Sequence, residues 1–371
     1  MKYYIIAGEP SGDLHGSNLI KELNRLDPQA TIRAWGGDKM KAAGAEVVKH
    51  YRELAFMGFA EVIKNLPTIL NNLQFCKRDV QEFHPDVLIL IDYPGFNLRI
   101  AKWAKEQGLK VIYYISPQVW AWKEARVKSI KQVVDQMLVI LPFEESFYHS
   151  KWNYKVQYVG HPLVQVVNEF LHDHPKQQEP GKPIIALLPG SRKQEVAKKL
   201  PIMLAVSKKF PGYRFTVAKT SSLDEDFYAQ FLKNYPNVAS VKDQTYSLLS
   251  QATAALVTSG TATLETALFG VPQVVCYKGS AVSYQIAKRL ISIKYISLVN
   301  LIMDKPVVKE LIQNELTITN LVIELQSILQ NGNKRTQILN DYRALQDILQ
   351  KQGNASARAA QEIIGFLQAS V

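Results

Sequence analysis

Short apolar runs alternate with longer amphipathic stretches along most of this chain. Tyr3–Ala7, Thr31–Trp35, Val87–Asp92, Val111–Ile115, Gln136–Ile140 and Lys155–Tyr158 are apolar in runs rather than at every second position, as parallel strands covered on both faces are. Between them, helical spacing predicts helices over Ser17–Leu26, Ile63–His84, Leu98–Gln107 and Ala125–Val134. A polar stretch with three prolines, His172–Pro183, interrupts the pattern and reads as a linker. The pattern then restarts with strands at Ile184–Leu188, Arg214–Ala218, Ala254–Val257 and Gln273–Val275, and a helix over Val196–Phe210. From about Leu321 the tail is helical, with amphipathic spacing through Ala357–Leu367. Alternating strand and helix predicts the α/β class, with an open, doubly wound parallel sheet in each of two domains. The expected domains are 1–170 and 184–340, joined by a linker at 171–183 and followed by a helical tail at 341–371.

The length of 371 residues suits two domains, and 47% hydrophobic with 21% charged residues lets both build cores. The net charge of +11 favours an anionic partner, either phosphate or an anionic membrane surface. Nucleic acid is not expected, since the basic residues are spread along the chain and no nucleic-acid module signature occurs. No apolar run approaches the roughly 20 residues that span a bilayer, and Tyr3 enters a strand at once without a signal-peptide pattern. The two cysteines, Cys76 and Cys276, lie far apart in apolar surroundings and read as buried free thiols. No Cys/His cluster has zinc-site spacing, and no cofactor is expected.

In open α/β sheets, ligands sit beyond the carboxyl ends of the strands. Leu188-Pro189-Gly190-Ser191-Arg192-Lys193-Gln194-Glu195 joins such a strand to a helix. Helix-start amides and the helix dipole favour an anion there. Gly190 permits close backbone approach, Ser191 can cap or donate, and Arg192 adds a forked cation. The bland alternative is an ordinary strand–helix connection with a serine cap. Thr258-Ser259-Gly260-Thr261-Ala262-Thr263-Leu264-Glu265 is a second, hydroxyl-rich junction. Its Ser259, Gly260 and Thr261 suit another phosphate contact. Glu265 is placed to accept ribose hydroxyls, or merely to favour the helix dipole.

The first strand runs into Gly8-Glu9-Pro10-Ser11-Gly12-Asp13-Leu14-His15-Gly16. Its glycine spacing departs from G-x-G-x-x-G, so no nicotinamide or flavin dinucleotide is indicated. It reads as a strand-end loop offering Ser11, Gly12, the carboxylates Glu9 and Asp13, and His15; the alternative is a Gly-rich turn in which Ser11 or Asp13 caps the next helix. Asp92 ends the third strand, where partial desolvation raises a carboxyl pKa and makes a general base. Asn97 is the better helix cap, which leaves Asp92 for chemistry. Trp120 and Trp122 follow Val111–Ile115 and either pack an interface or wall an apolar ligand. In the apolar segment 56–73, Phe59 is followed by a helical stripe that includes Ile63, Leu66, Ile69, Leu70 and Leu73. That stripe packs on the sheet or rests on a membrane.

Six of these segments occur together and in order: Gly8-Glu9-Pro10-Ser11-Gly12-Asp13, Met57-Gly58-Phe59-Ala60-Glu61-Val62, Pro117-Gln118-Val119-Trp120-Ala121-Trp122, Val159-Gly160-His161-Pro162-Leu163, Leu188-Pro189-Gly190-Ser191-Arg192 and Ser259-Gly260-Thr261-Ala262-Thr263-Leu264-Glu265. With them the chain resembles the lipid-A-disaccharide synthase family from end to end. Pro10 and Tyr93-Pro94-Gly95 depart from the family pattern beside positions that matter. The resemblance implies a GT-B fold, two Rossmann-like domains facing a cleft. It implies inverting transfer of 2,3-diacylglucosamine from UDP to 2,3-diacylglucosamine 1-phosphate (lipid X), without metal. It also implies peripheral attachment to the cytoplasmic face of the inner membrane, with homodimers in some members. On this reading Gly190, Ser191, Arg192, Ser259, Gly260 and Thr261 hold the diphosphate, Glu265 the ribose, and Asn300 lines the nucleotide cleft. Asp92 is the base, with Asp13, Glu9 and His15 in reserve, and Phe59 to Leu73 with Trp120 and Trp122 berth the acyl chains. Two other classes fit the architecture: an isomerase like UDP-N-acetylglucosamine 2-epimerase, and a non-catalytic nucleotide-sugar-binding protein of the membrane surface.

Overall fold

The computed structural model describes residues 1–54, 66–122, 124–175, 181–279 and 293–369, without the side chains of Leu66 and Trp122. It divides into two compact units, Met1–Pro162 with Gln350–Val371, and Leu163–Leu349. The first holds a parallel sheet of β1 (Lys2–Ala7), β2 (Thr31–Gly36), β3 (Glu46–His50), β4 (Val87–Ile91), β5 (Val111–Tyr114), β6 (Gln136–Val139) and β7 (Gln157–Tyr158), in the order β3-β2-β1-β4-β5-β6-β7. Successive side chains go to opposite faces: Tyr4, Ile6, Leu88 and Leu90 enter one core, and Tyr3, Ile5, Val87 and Ile89 the other.

The second unit repeats the design with β8 (Ile184–Leu188), β9 (Arg214–Lys219), β10 (Val238–Lys242), β11 (Ala252–Thr258), β12 (Gln273–Tyr277) and β13 (Lys309–Ile312), ordered β10-β9-β8-β11-β12-β13. Strand order reverses between β1 and β4 in one sheet and between β8 and β11 in the other. Loops leaving such a pair diverge and open a crevice at the carboxyl ends of the strands. The four loops at these two points carry Glu9, Asp92, Gly190 and Ser259.

Several expectations change. The Gly-rich segment after β1 is helix, not loop: the helix runs over Pro10–Leu26 with Pro10 in its first turn. Its glycines serve close packing. A Cβ on Gly12 would stand 3.1 Å from the Ala7 Cβ, and one on Gly16 would stand 2.8 Å from the Met40 sulfur. Strands β3, β10 and β13 lack an apolar run; they lie at sheet edges and in the outer positions of each sheet, where half-exposed residues suffice. The polar stretch at 172–183 does not set the division. Helix Pro162–Asp173 packs Leu163, Val164, Val167 and Phe170 into the second core, so that unit begins at Leu163. The tail divides too. Helix Asn333–Gln350 puts Ile338, Tyr342, Leu345 and Leu349 into the second core, whereas Ala355–Gln368 lays Ala359, Ala360, Ile363 and Leu367 on the first sheet.

Helix Leu66–Phe83 is tied to the first sheet by a buried polar cluster. Asp79 accepts from Tyr4 Oη at 2.5 Å and from Arg33 Nη2 at 2.6 Å, and the Trp35 indole donates to Tyr4 Oη at 2.9 Å. Every member of the cluster is satisfied, which suits its burial.

Candidate active site

In the first unit the chain leaves β4 through a strained corner. Asp92 and Tyr93 have φ of 45° and 49°, a left-handed pair that costs non-glycine residues about 1 kcal/mol or more each. Three hydrogen bonds hold it. The Asp92 carbonyl accepts from Asn97 Nδ2 at 2.7 Å and from Tyr113 Oη at 2.5 Å, and the Asp92 amide donates to the Tyr114 carbonyl at 3.2 Å. The Tyr93 ring lies flat on Gly8, where an added Cβ would come within 2.4 Å of it. Asn97 is therefore not the helix cap that its position suggested. Tyr93 occupies that place, and Asn97, fully buried inside helix Pro94–Glu106, reaches back to the ends of β1 and β4.

The corner leaves the Asp92 carboxyl half-buried beside Glu9. Burial first, and the Glu9 charge second, push its pKa up to about 6, while the Tyr93 amide pulls the other way. The reserve bases fare differently. Asp13 accepts from the Gly37, Lys39 and Met40 amides at 2.7, 3.2 and 3.1 Å, so its carboxylate holds the start of helix Asp38–Ala42. It caps a helix, as its residue type allowed, though a different one from the helix it sits in. His15 is buried with its Nδ1 unpartnered, and burial lowers its pKa to about 4. His161, also buried, is lowered to about 3 by burial and by His15 beside it. Both imidazoles are neutral at physiological pH and are poor proton acceptors there. Glu9 stands half-buried at the N-cap of helix Pro10–Leu26 and acts on Asp92 through its charge.

In the second unit, Gly190 follows β8 with φ of 115°, a conformation favoured by glycine. Exposed Ser191 and Arg192 come next, and Arg192 is the N-cap residue of the 15-residue helix Lys193–Ser207. Across the strand reversal, Gly260 has φ of 132° and precedes helix Thr261–Leu268. Ser259 donates to the Ile296 carbonyl at 2.8 Å. Two helix starts thus leave neighbouring strands β8 and β11 at the same sheet end. Glu265, one turn along, accepts from Tyr246 Oη at 2.8 Å, and burial raises its pKa. Among the described residues, no hydrogen bond is made by its other carboxylate oxygen.

A family model described as Lipid-A-disaccharide synthetase matches residues 3–364. The lipid-A-disaccharide synthase of Geobacter metallireducens is 42% identical over 330 residues, covering 86% of this chain and 86% of that protein. The chain belongs to the lipid-A-disaccharide synthase family. The Coxiella burnetii synthase is 39% identical over 367 residues, covering 97% of this chain and 96% of its own. Solved structures share the fold at low identity. A Neisseria meningitidis UDP-GlcNAc 2-epimerase bound to UDP-GlcNAc has TM-score 0.66 at 13% identity and covers 100% of both chains. The glycosyltransferase of kitacinnamycin has TM-score 0.68 at 15% identity and covers 99% of this chain and 98% of its own. The two-sheet α/β fold is thus the GT-B one.

Within the synthase-family chain, several expected contact residues have other work. Trp120 is buried; its indole donates to Glu144 at 3.2 Å and packs edge-on against Phe143. It is core, not an acyl wall, and the Trp122 side chain lies outside the described residues. Asn300 is 1% exposed; its amide pairs with the Val308 backbone in both directions at 2.9 Å and donates to Glu310 at 2.9 Å. It therefore braces segment 296–310 rather than facing a nucleotide. Leu73 is buried in the first core and Ile69 packs against it, while Leu70 is half exposed. Phe59 and Ile63, and the Leu66 side chain, lie outside the described residues. Sequence reading missed Glu310, which accepts from the Ile296 and Ser297 amides as well as Ser297 Oγ and Asn300. A carboxylate in an edge strand gives no local sign of that role.

Asp13→Ala leaves three amides without their acceptor, so it lowers folding stability by about 1–3 kcal/mol. Urea unfolding checks this, and an unchanged midpoint would remove Asp13 from its bracing role.

Proposed function

We propose that the chain transfers 2,3-diacylglucosamine from UDP-2,3-diacylglucosamine to lipid X, giving the β-1′,6-linked disaccharide 1-phosphate and UDP. Family membership gives the reaction class, and the observation that carries the residue roles is the Asp92 carboxyl at a strand reversal with its pKa raised to about 6. A carboxylate so poised is ionised at neutral pH and more basic than an ordinary one. It takes the proton of the acceptor's 6-hydroxyl as that oxygen attacks the donor's anomeric carbon. The bond to the diphosphate oxygen breaks from the opposite face, its electron pair leaves on UDP, and the configuration inverts.

The leaving diphosphate gathers negative charge, which helix-start amides and cations stabilise. Gly190, Ser191 and Arg192, with Ser259, Gly260 and Thr261, supply them at two adjacent helix starts. The unbonded Glu265 oxygen takes the ribose hydroxyls. Ser11 and Gly12 open the 17-residue helix Pro10–Leu26 and present a further anion position for a substrate phosphate.

Peripheral attachment to the cytoplasmic face of the inner membrane follows from the diacyl substrates. Among the described residues, no helix is long and apolar enough to cross a membrane. Helix Leu66–Phe83 exposes Leu70 by 50% and Phe75 by 38%, and side chains of this kind rest in a headgroup layer. The likeness to UDP-GlcNAc 2-epimerases is one of fold and gives no ground for isomerase chemistry.

Asp92→Asn lowers kcat by roughly 10²–10⁴-fold with UDP affinity retained; near-normal turnover would discard the base assignment. Since the base works ionised, kcat/KM rises with pH through a midpoint near 6 and then levels off. Folding raises this pKa above its unfolded value and so disfavours the ionised form. Asp92→Asn therefore keeps or raises Tm at neutral pH, which separates lost chemistry from lost structure. The variant Leu70→Gln reduces co-sedimentation with anionic vesicles at unchanged Tm; undiminished binding would take this helix out of the membrane contact.

A further inference from the structure

Lys199 stands on helix Lys193–Ser207 at 2% exposure, on the face that buries Val196, Leu200 and Met203. Its ammonium donates to Thr258 Oγ1, at the carboxyl end of β11. A Cβ added to Gly190 would stand 2.5 Å from Glu195 Oε2 and 3.5 Å from the Lys199 Nζ. The ammonium thus lies beneath Gly190 and against Thr258, where β8 and β11 deliver the two helix starts assigned above to the diphosphate.

Its compensation is thin. An ammonium has three donors, and Thr258 is a neutral partner. Glu195 Oε2 is 3.9 Å away, and the same carboxylate faces Arg192 at 3.6 Å. The other ionisable groups facing Lys199 are the buried Cys276 thiol and the Arg192 guanidinium. Burial is the largest influence and draws the lysine pKa below its ordinary value, with Glu195 opposing it. A buried cation with one neutral hydrogen bond and one distant, shared carboxylate is costly to hold. A diphosphate over Gly190 brings the charge that offsets this cost. If the side chain were only a prop for Thr258, an apolar chain of equal length would serve without the cost.

We propose that Lys199 is a positioning residue for the diphosphate: its ammonium supplies positive charge beneath the Gly190 loop, with Glu195 as its counter-ion until the nucleotide binds. The inference rests on the reading of that loop as the UDP site. Calorimetry of the full chain with UDP and with uridine tests it, in the wild type, Lys199→Met and Lys199→Gln. Both variants bind UDP about tenfold more weakly or worse, the scale of a charge-assisted contact, while uridine affinity stays within about twofold. The Tm of Lys199→Met is unchanged or higher, because an under-compensated buried charge is gone. If Lys199→Met fails to fold, the comparison rests on Lys199→Gln, which keeps a donor for Thr258. Undiminished UDP affinity in the variants, or equal loss for UDP and uridine, overturns the role of Lys199 and leaves the loop assignment standing. A wild type that binds no UDP overturns the loop assignment itself.

Discussion

The left-handed corner at Asp92 and Tyr93 is the constraint on which the first unit's chemistry depends. Backbone in this region is costly for side chains other than glycine, so it persists only where its surroundings over-determine it. Here Asn97 and Tyr113 clamp one carbonyl, and Tyr93 lies on Gly8 because no Cβ is there to lift it. The consequence is electrical. The turn carries the Asp92 carboxyl beyond the end of β4 beside Glu9, only partly solvated and, among the described residues, without an ion-pair partner, and its proton affinity rises. Two carboxyl groups near each other then differ in character: the charge of Glu9 helps to raise the proton affinity of Asp92, which is what the proposed role of Asp92 as base requires.

The second unit meets the opposite requirement with the same topology. Its strand reversal brings together donors and cations: two helix starts, Arg192, and an ammonium beside Gly190, with Glu195 as the carboxylate between them. A base and a leaving-group site make opposite demands on their surroundings, and separate sheets let each be met with little compromise. This is the physical sense of using one αβ design twice in a transfer reaction.

Much of this was legible in the chain itself. Continuous apolar runs located β1, β4, β5 and β8 to within a residue or two, because strands buried on both faces leave no choice of residue type. The edge strands β3 and β13 stayed hidden, since half-exposed positions accept Lys, Glu and His. Asp92 and Gly190 could be placed just beyond strand ends from the sequence, because the end of an apolar run marks where a strand stops. Asp13 and Trp120 fit the same reasoning equally well, and Asn300 was named through the family resemblance, yet their partners are Gly37, Glu144 and Val308, which only the fold brings close. Lys199 did carry a signal, a lysine on the apolar stripe of its helix, but a solvated neighbour, Lys198, masks it in the sequence.

The central claim is that one carboxylate primes a sugar hydroxyl while helix starts and cations receive the departing diphosphate, so that the new bond forms opposite the one that breaks. Analysis of the product from UDP-2,3-diacylglucosamine and lipid X tests it most directly, with mass spectrometry for composition and the anomeric coupling constant for configuration. The account predicts one β-linked disaccharide 1-phosphate for each UDP released. An α-linked disaccharide, or UDP released without any disaccharide, would contradict it.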